Sequence, residues 1–180
     1  MSLERKFCTQ GDGIIMTDGT VIEGYASLFG KTDQGGDRVA LGAYGVSLKA
    51  LKAAGRTVKM LWQHDPAQPI GVWDEVREDA KGLWVKGRLL PNVARAQEAA
   101  ALLAAGAIDG LSIGYRTKRA QKDDKGGRLL SELEFWEVSL VTFPMLSDAR
   151  VAAKGDSPNA EGLRELAAVF EEVTLALRQP

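Results

Sequence analysis

The sequence predicts an α+β fold: a small, mostly antiparallel β-barrel flanked by helices, followed by a C-terminal helical tail. Two observations lead to this prediction. Segments in which apolar and polar residues alternate outnumber the segments with helical spacing. Short turn sequences rich in glycine and aspartate separate the alternating segments, as in hairpins. We expect a flexible lead-in over residues 1–13, one domain over residues 14–153, and a linker with an amphipathic helix over residues 154–180.

In the first half of the chain, the pattern predicts two strands, a loop, a helix and a third strand. They are expected, in this order, at residues 14–16, 21–25, 30–37, 44–54 and 58–62. Asp18-Gly19 is a hairpin turn between the first two strands. Gly55 ends the helix, whose apolar residues recur at helical spacing. The third strand runs into the turn sequence Gln63-His64-Asp65-Pro66.

In the second half, the pattern predicts a hairpin, a helix and two further strands. They are expected at residues 70–78, 82–90, 93–105, 113–119 and 129–143. Asn92 is a suitable N-cap for the helix, and Gly106 is suited to end it. Beyond a linker at residues 154–159, a narrow apolar seam has helical spacing. Its members are Leu163, Leu166, Phe170, Val173 and Leu177.

The last predicted strand, residues 129–143, is the longest, and both of its faces are largely apolar. Alternation places one set of side chains on one face and a second set on the other. The first set is Leu133, Phe135, Glu137, Ser139 and Val141, and the second is Trp136, Val138 and Leu140. A strand that is apolar on both sides is expected at the centre of the fold, covered on both faces.

Composition narrows the classes of function. The 180 residues, 45% apolar and 26% charged, are typical of one soluble globular domain with its own core. A net charge of −1 gives no electrostatic reason to expect a nucleic-acid or membrane partner. Cys8 is the only cysteine, so no disulfide framework is expected. The polar lead-in lacks the apolar stretch of a signal peptide, which predicts a cytoplasmic protein.

Residues 110–115 (Gly-Leu-Ser-Ile-Gly-Tyr) contain the pattern G-x-S-x-G, which in α/β-hydrolases marks a nucleophilic serine. The surroundings do not fit that fold. A nucleophile elbow has a strand before the serine, a helix after it, and its histidine later in the chain. Here a helix precedes Ser112, an extended segment follows, and the only histidine, His64, lies upstream. Any chemistry that joins the two has the chain order His then Ser.

His64 lies where a predicted strand enters a turn. A lone histidine is more often a surface or satisfied core residue than a catalyst. Strand-to-turn junctions, however, are places where scaffolds present functional groups, and imidazole exchanges protons readily near neutral pH. A zinc site would need further ligands, and the chain offers neither a second histidine nor a nearby cysteine. We therefore expect no metal and no cofactor.

Ser112 and Glu137 each have a structural and a functional interpretation. The glycines at 110 and 114 suit either a reactive hydroxyl that needs close approach or a tightly packed barrel. Glu137 lies on an otherwise apolar face, where a carboxylate without a partner is unfavourable. Either that face is open to water, or an arginine pairs with Glu137, or the carboxylate accepts a hydrogen bond from His64. Glu132 and Glu134 are nearby, but strand alternation directs them to the opposite face.

Four blocks of the sequence, taken in order, resemble the prohead (capsid maturation) serine proteases of tailed phages. The blocks are Gly24-Tyr25-Ala26-Ser27-Leu28-Phe29; Leu61-Trp62-Gln63-His64-Asp65 with Pro69-Ile70-Gly71; Gly110-Leu111-Ser112-Ile113-Gly114-Tyr115; and Trp136-Glu137-Val138-Ser139-Leu140-Val141-Thr142-Phe143-Pro144. Each block is weakly specific on its own, and together they are specific. The resemblance covers residues 22–151 and leaves out the lead-in and the tail.

The resemblance implies a small β-barrel wrapped by helices, similar to the herpesvirus assemblin proteases, which are often dimeric. It implies that His64 is the general base and Ser112 the nucleophile. In the herpesvirus enzymes the third member is a second histidine, which this chain lacks. Glu137, on the strand that follows the serine, is expected in that position.

The resemblance further implies a serine endopeptidase that acts in the host cytoplasm, inside the procapsid. Its expected partners are scaffold segments, the N-terminal segment of the major capsid protein, and a second copy of the chain in a homodimer; self-cleavage is also expected. Two other interpretations stay open. One is a catalytically inactive structural or scaffold-associated assembly protein with the same fold. The other is an unrelated β-barrel binding module in which Ser112 and His64 lie far apart.

Overall fold

The structure is a computed structural model, and it describes residues 4–7, 15–17, 19–33, 35–123 and 126–142. These residues include nine strands and two helices. They are, in chain order, β1 (Glu4–Phe7), β2 (Ile15–Thr17), β3 (Val21–Leu28), β4 (Arg38–Val39), α1 (Gly45–Ala53), β5 (Lys59–Trp62), β6 (Asp65–Glu78), β7 (Gly82–Leu89), α2 (Ala94–Ala104), β8 (Gly110–Lys122) and β9 (Arg128–Val141). The predicted linker and the apolar seam of the tail lie outside the described residues.

The nine strands form one mixed sheet, which confirms the α+β prediction. Eight of them follow the order β1-β8-β9-β5-β6-β7-β3-β2, and β4 pairs with β9 outside this path. Neighbours are antiparallel except that β4 and β5 run parallel to β9. In the part of the chain that is described, no pairing joins β1 to β2, so the predicted small β-barrel is confirmed only in part. The sheet is an open half-barrel, with β1 and β2 at its two ends.

The predicted hairpins are confirmed. β2 pairs with β3 around the turn at Gly19, with Met16 opposite Ile22, and β6 pairs with β7 around residues 79–81. β6 begins at Asp65, earlier than the predicted Ile70, because its first residues pair with β5. These local turns therefore follow the turn chemistry of the sequence.

Helix α1 takes the place of a strand along one edge of β9. The hydroxyl of Ser47 accepts a hydrogen bond from the N–H of Phe135 at 2.9 Å. The carbonyl of Ala43, just before the helix, accepts one from the N–H of Leu133 at 3.0 Å. The helix thus satisfies backbone groups of β9 in the gap between its two parallel partners, β4 and β5.

Helix α2 leads directly into β8. It begins at Ala94 with Val93 as its N-cap, one residue after the predicted cap Asn92. The reason is the backbone: Val93 has the extended conformation that an N-cap position requires, with φ −103° and ψ 118°. Gly106 follows the helix with φ +67°, the left-handed conformation in which glycine ends helices, as predicted.

A β-bulge at Trp136 changes which side chains of β9 share a face. Gly114 on β8 pairs with Glu137, and the next residue, Tyr115, pairs with Phe135. Trp136 is therefore the extra residue on the bulged strand, and its side chain is 40% exposed. A bulge shifts the alternation of side chains by one residue.

The bulge corrects the predicted faces of β9. Phe135 lies on the same side as Val138 and Leu140, in the hydrophobic core inside the half-barrel. Glu137 and Ser139 lie on the other face. The prediction that Phe135 shares a face with Glu137 is wrong, because uninterrupted alternation was assumed where the strand is bulged.

Candidate active site

His64 lies in the two-residue turn that joins β5 to β6. Gln63 and His64 have φ values of 52° and 61°, while Trp62 and Asp65 pair on either side of them. Positive φ at both central residues is the geometry of a type I′ turn, which favours Asn and Gly. For other residues this conformation is unfavourable by roughly 1–3 kcal/mol each. The sequence predicted the position of the turn but not its strained backbone.

Hydrogen bonds to the end of β9 hold this turn in place. The N–H of Gln63 donates to the carbonyl of Leu140 at 2.9 Å, and its side-chain amide donates to the hydroxyl of Thr142 at 2.5 Å. The N–H of His64 donates to the hydroxyl of Ser139 at 3.2 Å. The turn is thus fixed to the strand that carries Glu137.

The imidazole of His64 bridges the other two candidate side chains. Its Nδ1 lies 2.5 Å from Oε1 of Glu137, and its Nε2 lies 2.5 Å from Oγ of Ser112. A carboxylate only accepts hydrogen bonds, which favours the imidazole tautomer with its hydrogen on Nδ1 and its Nε2 lone pair towards the serine hydroxyl. All three residues are buried: His64 is 7% exposed, Ser112 0% and Glu137 4%.

The pairing of β8 with β9 brings Ser112 and Glu137 to one face. Ser112 lies opposite Ser139, and Gly114 lies opposite Glu137. A Cβ atom at Gly114 would come within 2.1 Å of Oε1 of Glu137. The second glycine of the G-x-S-x-G pattern, Gly114, therefore makes room for the carboxylate of Glu137. The group that approaches this glycine closely is a side chain of β9.

The two competing carboxylates have other partners. Glu134 forms an ion pair with Lys118 at 2.7 Å, and Glu132 pairs with Arg119 at 3.7 Å. The hydrogen bond from Lys118 lowers the pKa of Glu134. Neither carboxylate contacts the imidazole of His64, so among the described residues Glu137 is the acidic group in contact with it.

Ser139 belongs to this cluster, although its sequence context alone indicated no role. Its hydroxyl donates a hydrogen bond to Oε2 of Glu137 at 2.5 Å and accepts the one from the N–H of His64. The residue is fully buried. The one signal in the sequence was its position two residues after Glu137, which places both side chains on the same face of a strand.

The N-terminal strand covers the other edge of β8 beside the serine. β1 pairs antiparallel with β8, with Phe7 opposite Ser112 and Arg5 opposite Gly114. At Ser112, β8 is therefore paired on both sides, by β1 and by β9. The side chain of Ser112 is completely buried.

A groove of about 490 Å³ opens beside His64, between α1, β5 and β9. His64 and Glu137 form part of its wall. Apolar side chains, among them Leu51 and Leu61, line it together with the cationic Lys59. No group of three or more His, Cys, Asp or Glu side chains within the described ranges is placed to hold a metal ion. Neither α1 nor α2 is long and apolar enough to cross a membrane.

A hydroxyl, an imidazole and a carboxylate in this order of contact are the geometry by which serine hydrolases are recognised, whatever the order of the residues in the chain. The chain belongs to the caudovirus prohead serine protease family, which residues 9–161 match. It is 34% identical over 152 residues to the prohead protease of Enterobacteria phage HK97. That alignment spans 81% of this chain but 65% of the HK97 protein.

The fold has a solved counterpart. It is similar to that of the bacteriophage T4 capsid assembly protease, with a TM-score of 0.62 over 77% of this chain and 96% of that chain. Sequence identity between the two is 16%, so this likeness concerns the fold alone. The open half-barrel is therefore an architecture that a capsid assembly protease also has.

Proposed function

We propose that this protein is a serine endopeptidase of phage prohead maturation, with His64 as general base, Ser112 as nucleophile and Glu137 as the third member of the triad. The observation that carries the proposal is the imidazole of His64, held at 2.5 Å from both the hydroxyl and the carboxylate. Membership of the prohead serine protease family supports it independently.

In the proposed mechanism, Nε2 of His64 takes the proton of the Ser112 hydroxyl as Oγ bonds to the carbonyl carbon of the substrate. The imidazolium then gives that proton to the leaving amine as the C–N bond breaks. Water, deprotonated by His64, then attacks the acyl carbon. The bond from that carbon to Oγ of Ser112 breaks, the imidazolium returns the proton to Oγ, and the new carboxyl terminus is released. Glu137 accepts the hydrogen bond from Nδ1–H throughout, which fixes the tautomer and stabilises the positive charge.

The proposed substrates are scaffold segments, the N-terminal segment of the major capsid protein and the chain itself. They rest on the family, since the names of the HK97 and T4 relatives refer to proheads and capsid assembly. We place the reaction inside the procapsid, in the host cytoplasm, with the enzyme as a homo-oligomer. The groove beside His64 and Glu137 offers room for part of a polypeptide substrate.

Covalent labelling with a fluorophosphonate tests the proposal. We expect the probe to form an adduct on Ser112, located by peptide mass spectrometry, in the full chain or in a chain that begins at Cys8. Ser112→Ala should abolish the adduct and self-cleavage, and His64→Ala should slow labelling by a factor on the order of 10⁴ or more. Ser131→Ala, on the same sheet but away from the imidazole, is the matched control and should label normally.

The same experiment separates this proposal from its alternative, an inactive assembly protein with the same fold. A folded chain that takes up no probe in either form would reject the protease. An adduct on Ser139 instead of Ser112 would keep the enzyme class but move the nucleophile.

A further inference from the structure

We infer that Ser139 is a positioning residue for the proposed triad, because its hydroxyl is hydrogen-bonded to both the carboxylate of Glu137 and the backbone of His64 and so fixes their relative positions. The inference rests on the proposed function for its meaning in catalysis. Its structural basis is two hydrogen bonds of one buried hydroxyl, at 2.5 Å to Oε2 of Glu137 and at 3.2 Å to the N–H of His64.

The donor and acceptor inventory fixes the direction of both bonds. A backbone N–H only donates, so the oxygen of Ser139 accepts the bond from His64. The single hydroxyl hydrogen of Ser139 is then free to donate to Oε2 of Glu137. Oε1 of the same carboxylate faces Nδ1 of His64. Each oxygen of the buried Glu137 carboxylate thus has its own hydrogen-bond donor.

This hydroxyl connects two parts of the site that the fold brings from different elements. His64 lies in a turn with unfavourable positive φ, and such a conformation persists only where the surroundings hold it. Glu137 follows the bulge at Trp136, where alternation is interrupted. Ser139 lies on β9 two residues after Glu137, and its hydroxyl forms hydrogen bonds with both Glu137 and His64.

The contacts of Ser139 differ from those expected of a nucleophile. Its hydroxyl bonds to the backbone of His64 and to Glu137, whereas Oγ of Ser112 is the hydroxyl at Nε2 of the imidazole. Ser112 and Ser139 are opposite each other across β8 and β9. The two serines therefore share a face but have different tasks: one reacts, and the other orients the acid and the base.

Substitution by Thr and by Val tests the inference with two side chains of nearly the same shape. Both add a methyl group to a fully buried position, so their effects on packing are alike, and only Thr keeps the hydroxyl. We expect kinact for the fluorophosphonate to fall about 10- to 100-fold in Ser139→Val relative to Ser139→Thr, the range for loss of a hydrogen bond to a charged group. KI should stay the same. Ser139→Ala, which adds no volume, should behave like the Val variant.

A spectroscopic measurement detects the positioning without any turnover. His64 is the only histidine, so the low-field proton resonance of an imidazole Nδ1–H bonded to a carboxylate is assigned without ambiguity. We expect this resonance in the wild type and in Ser139→Thr, and its loss or displacement in Ser139→Val and Ser139→Ala. Ser131→Ala serves as the control on the same strand.

The outcomes are distinct from those of the function test. Equal kinact in the Thr and Val variants, or an unchanged resonance in both Val and Ala variants that remain folded, overturns the positioning role. Absence of labelling in the wild type would reject the protease, and the resonance would still decide whether Ser139 orients His64 and Glu137.

Discussion

The contacts of His64 with Ser112 and Glu137 depend on the conformation and size of the residues around it. The backbone of His64 has a positive φ, and the hydroxyl of Ser139 accepts a hydrogen bond from its N–H. Gly114 leaves the space into which the carboxylate of Glu137 fits. Hydrogen bonds lose strength steeply with distance and angle, so a change of one atom at any of these positions disturbs the geometry.

Gly114→Ala is expected to inactivate the protein by displacing Glu137. The new methyl would lie 2.1 Å from Oε1, 2.7 Å from Cδ and 2.8 Å from Cγ of the glutamate. We expect fluorophosphonate labelling to slow by about 100-fold or more, because the imidazole loses its fixed tautomer. The free energy of unfolding should fall by about 1–3 kcal/mol from overpacking, measured by urea denaturation.

Gly45→Ala is the matched control for this prediction. There the nearest atom to an added Cβ is Oε2 of Glu78 at 3.5 Å, an ordinary contact. Shortening the acid in the double variant Gly114→Ala, Glu137→Asp should restore part of the lost stability. A Gly114→Ala protein that labels at the wild-type rate would show that the carboxylate is not needed where it lies.

Among the elements, β8 and β9 carry the site, and β1 pairs with β8 beside Ser112. β8 supplies the serine, β9 supplies the acid and Ser139, and the turn after β5 supplies the imidazole. β1 occupies the remaining edge of β8, with Phe7 opposite Ser112. This edge strand has four described residues, and it lies beside Ser112, the proposed nucleophile.

Deletion of residues 1–7 is expected to speed the labelling of Ser112. Without β1, the edge of β8 beside Ser112 is unpaired. If pairing with β1 hinders the probe, the labelling rate of Ser112 should rise about tenfold for each 1.4 kcal/mol that this pairing adds to the barrier. The measurement compares the fluorophosphonate rate of the shortened chain with that of the full chain. The melting temperature is the control for folding, and an unchanged rate in a folded protein would mean that β1 does not restrict the site.

At the scale of the whole molecule, the sheet brings together residues that lie far apart in the chain. β5 and β9 are parallel neighbours, with Lys59 opposite Glu137. The core inside the half-barrel comes from residues between Ile22 and Leu140. The described residues thus contain a hydrophobic core of their own, and the segment after the predicted linker at residues 154–159 is proposed to serve another purpose, namely self-association or addressing.

Removal of residues from Gly155 onward should leave the domain stable and change its assembly. We expect the melting temperature to shift by less than about 2 °C, since the described residues already contain a hydrophobic core of their own. The oligomeric state, measured by size-exclusion chromatography with light scattering, should decrease. An unchanged oligomeric state together with unchanged incorporation into procapsids would reject the proposed role, and a large fall in melting temperature would mean that the segment packs on the domain.

Local patterns predicted most elements correctly, because turns and helix ends depend on neighbouring residues. The Asp18-Gly19 hairpin and the glycine that ends α2 are examples, since left-handed backbone there requires particular residue types. The candidates His64, Ser112 and Glu137 came from the resemblance as much as from their positions. Residue type and neighbours therefore sufficed to propose a site but not its geometry.

Tertiary pairing decided the rest. The bulge at Trp136 exists only in the register of β9 against β8, and it reverses the alternation that the sequence implies. The strained turn at His64 is held by Ser139 and Leu140 of β9, which come more than seventy positions later in the chain. Whether the sheet closes, and what the hydroxyl of Ser139 contacts, likewise depends on segments distant in the chain. The periodicity of a sequence indicates local conformation. Which face a side chain occupies, whether the sheet closes and which side chains touch depend on how the strands pair.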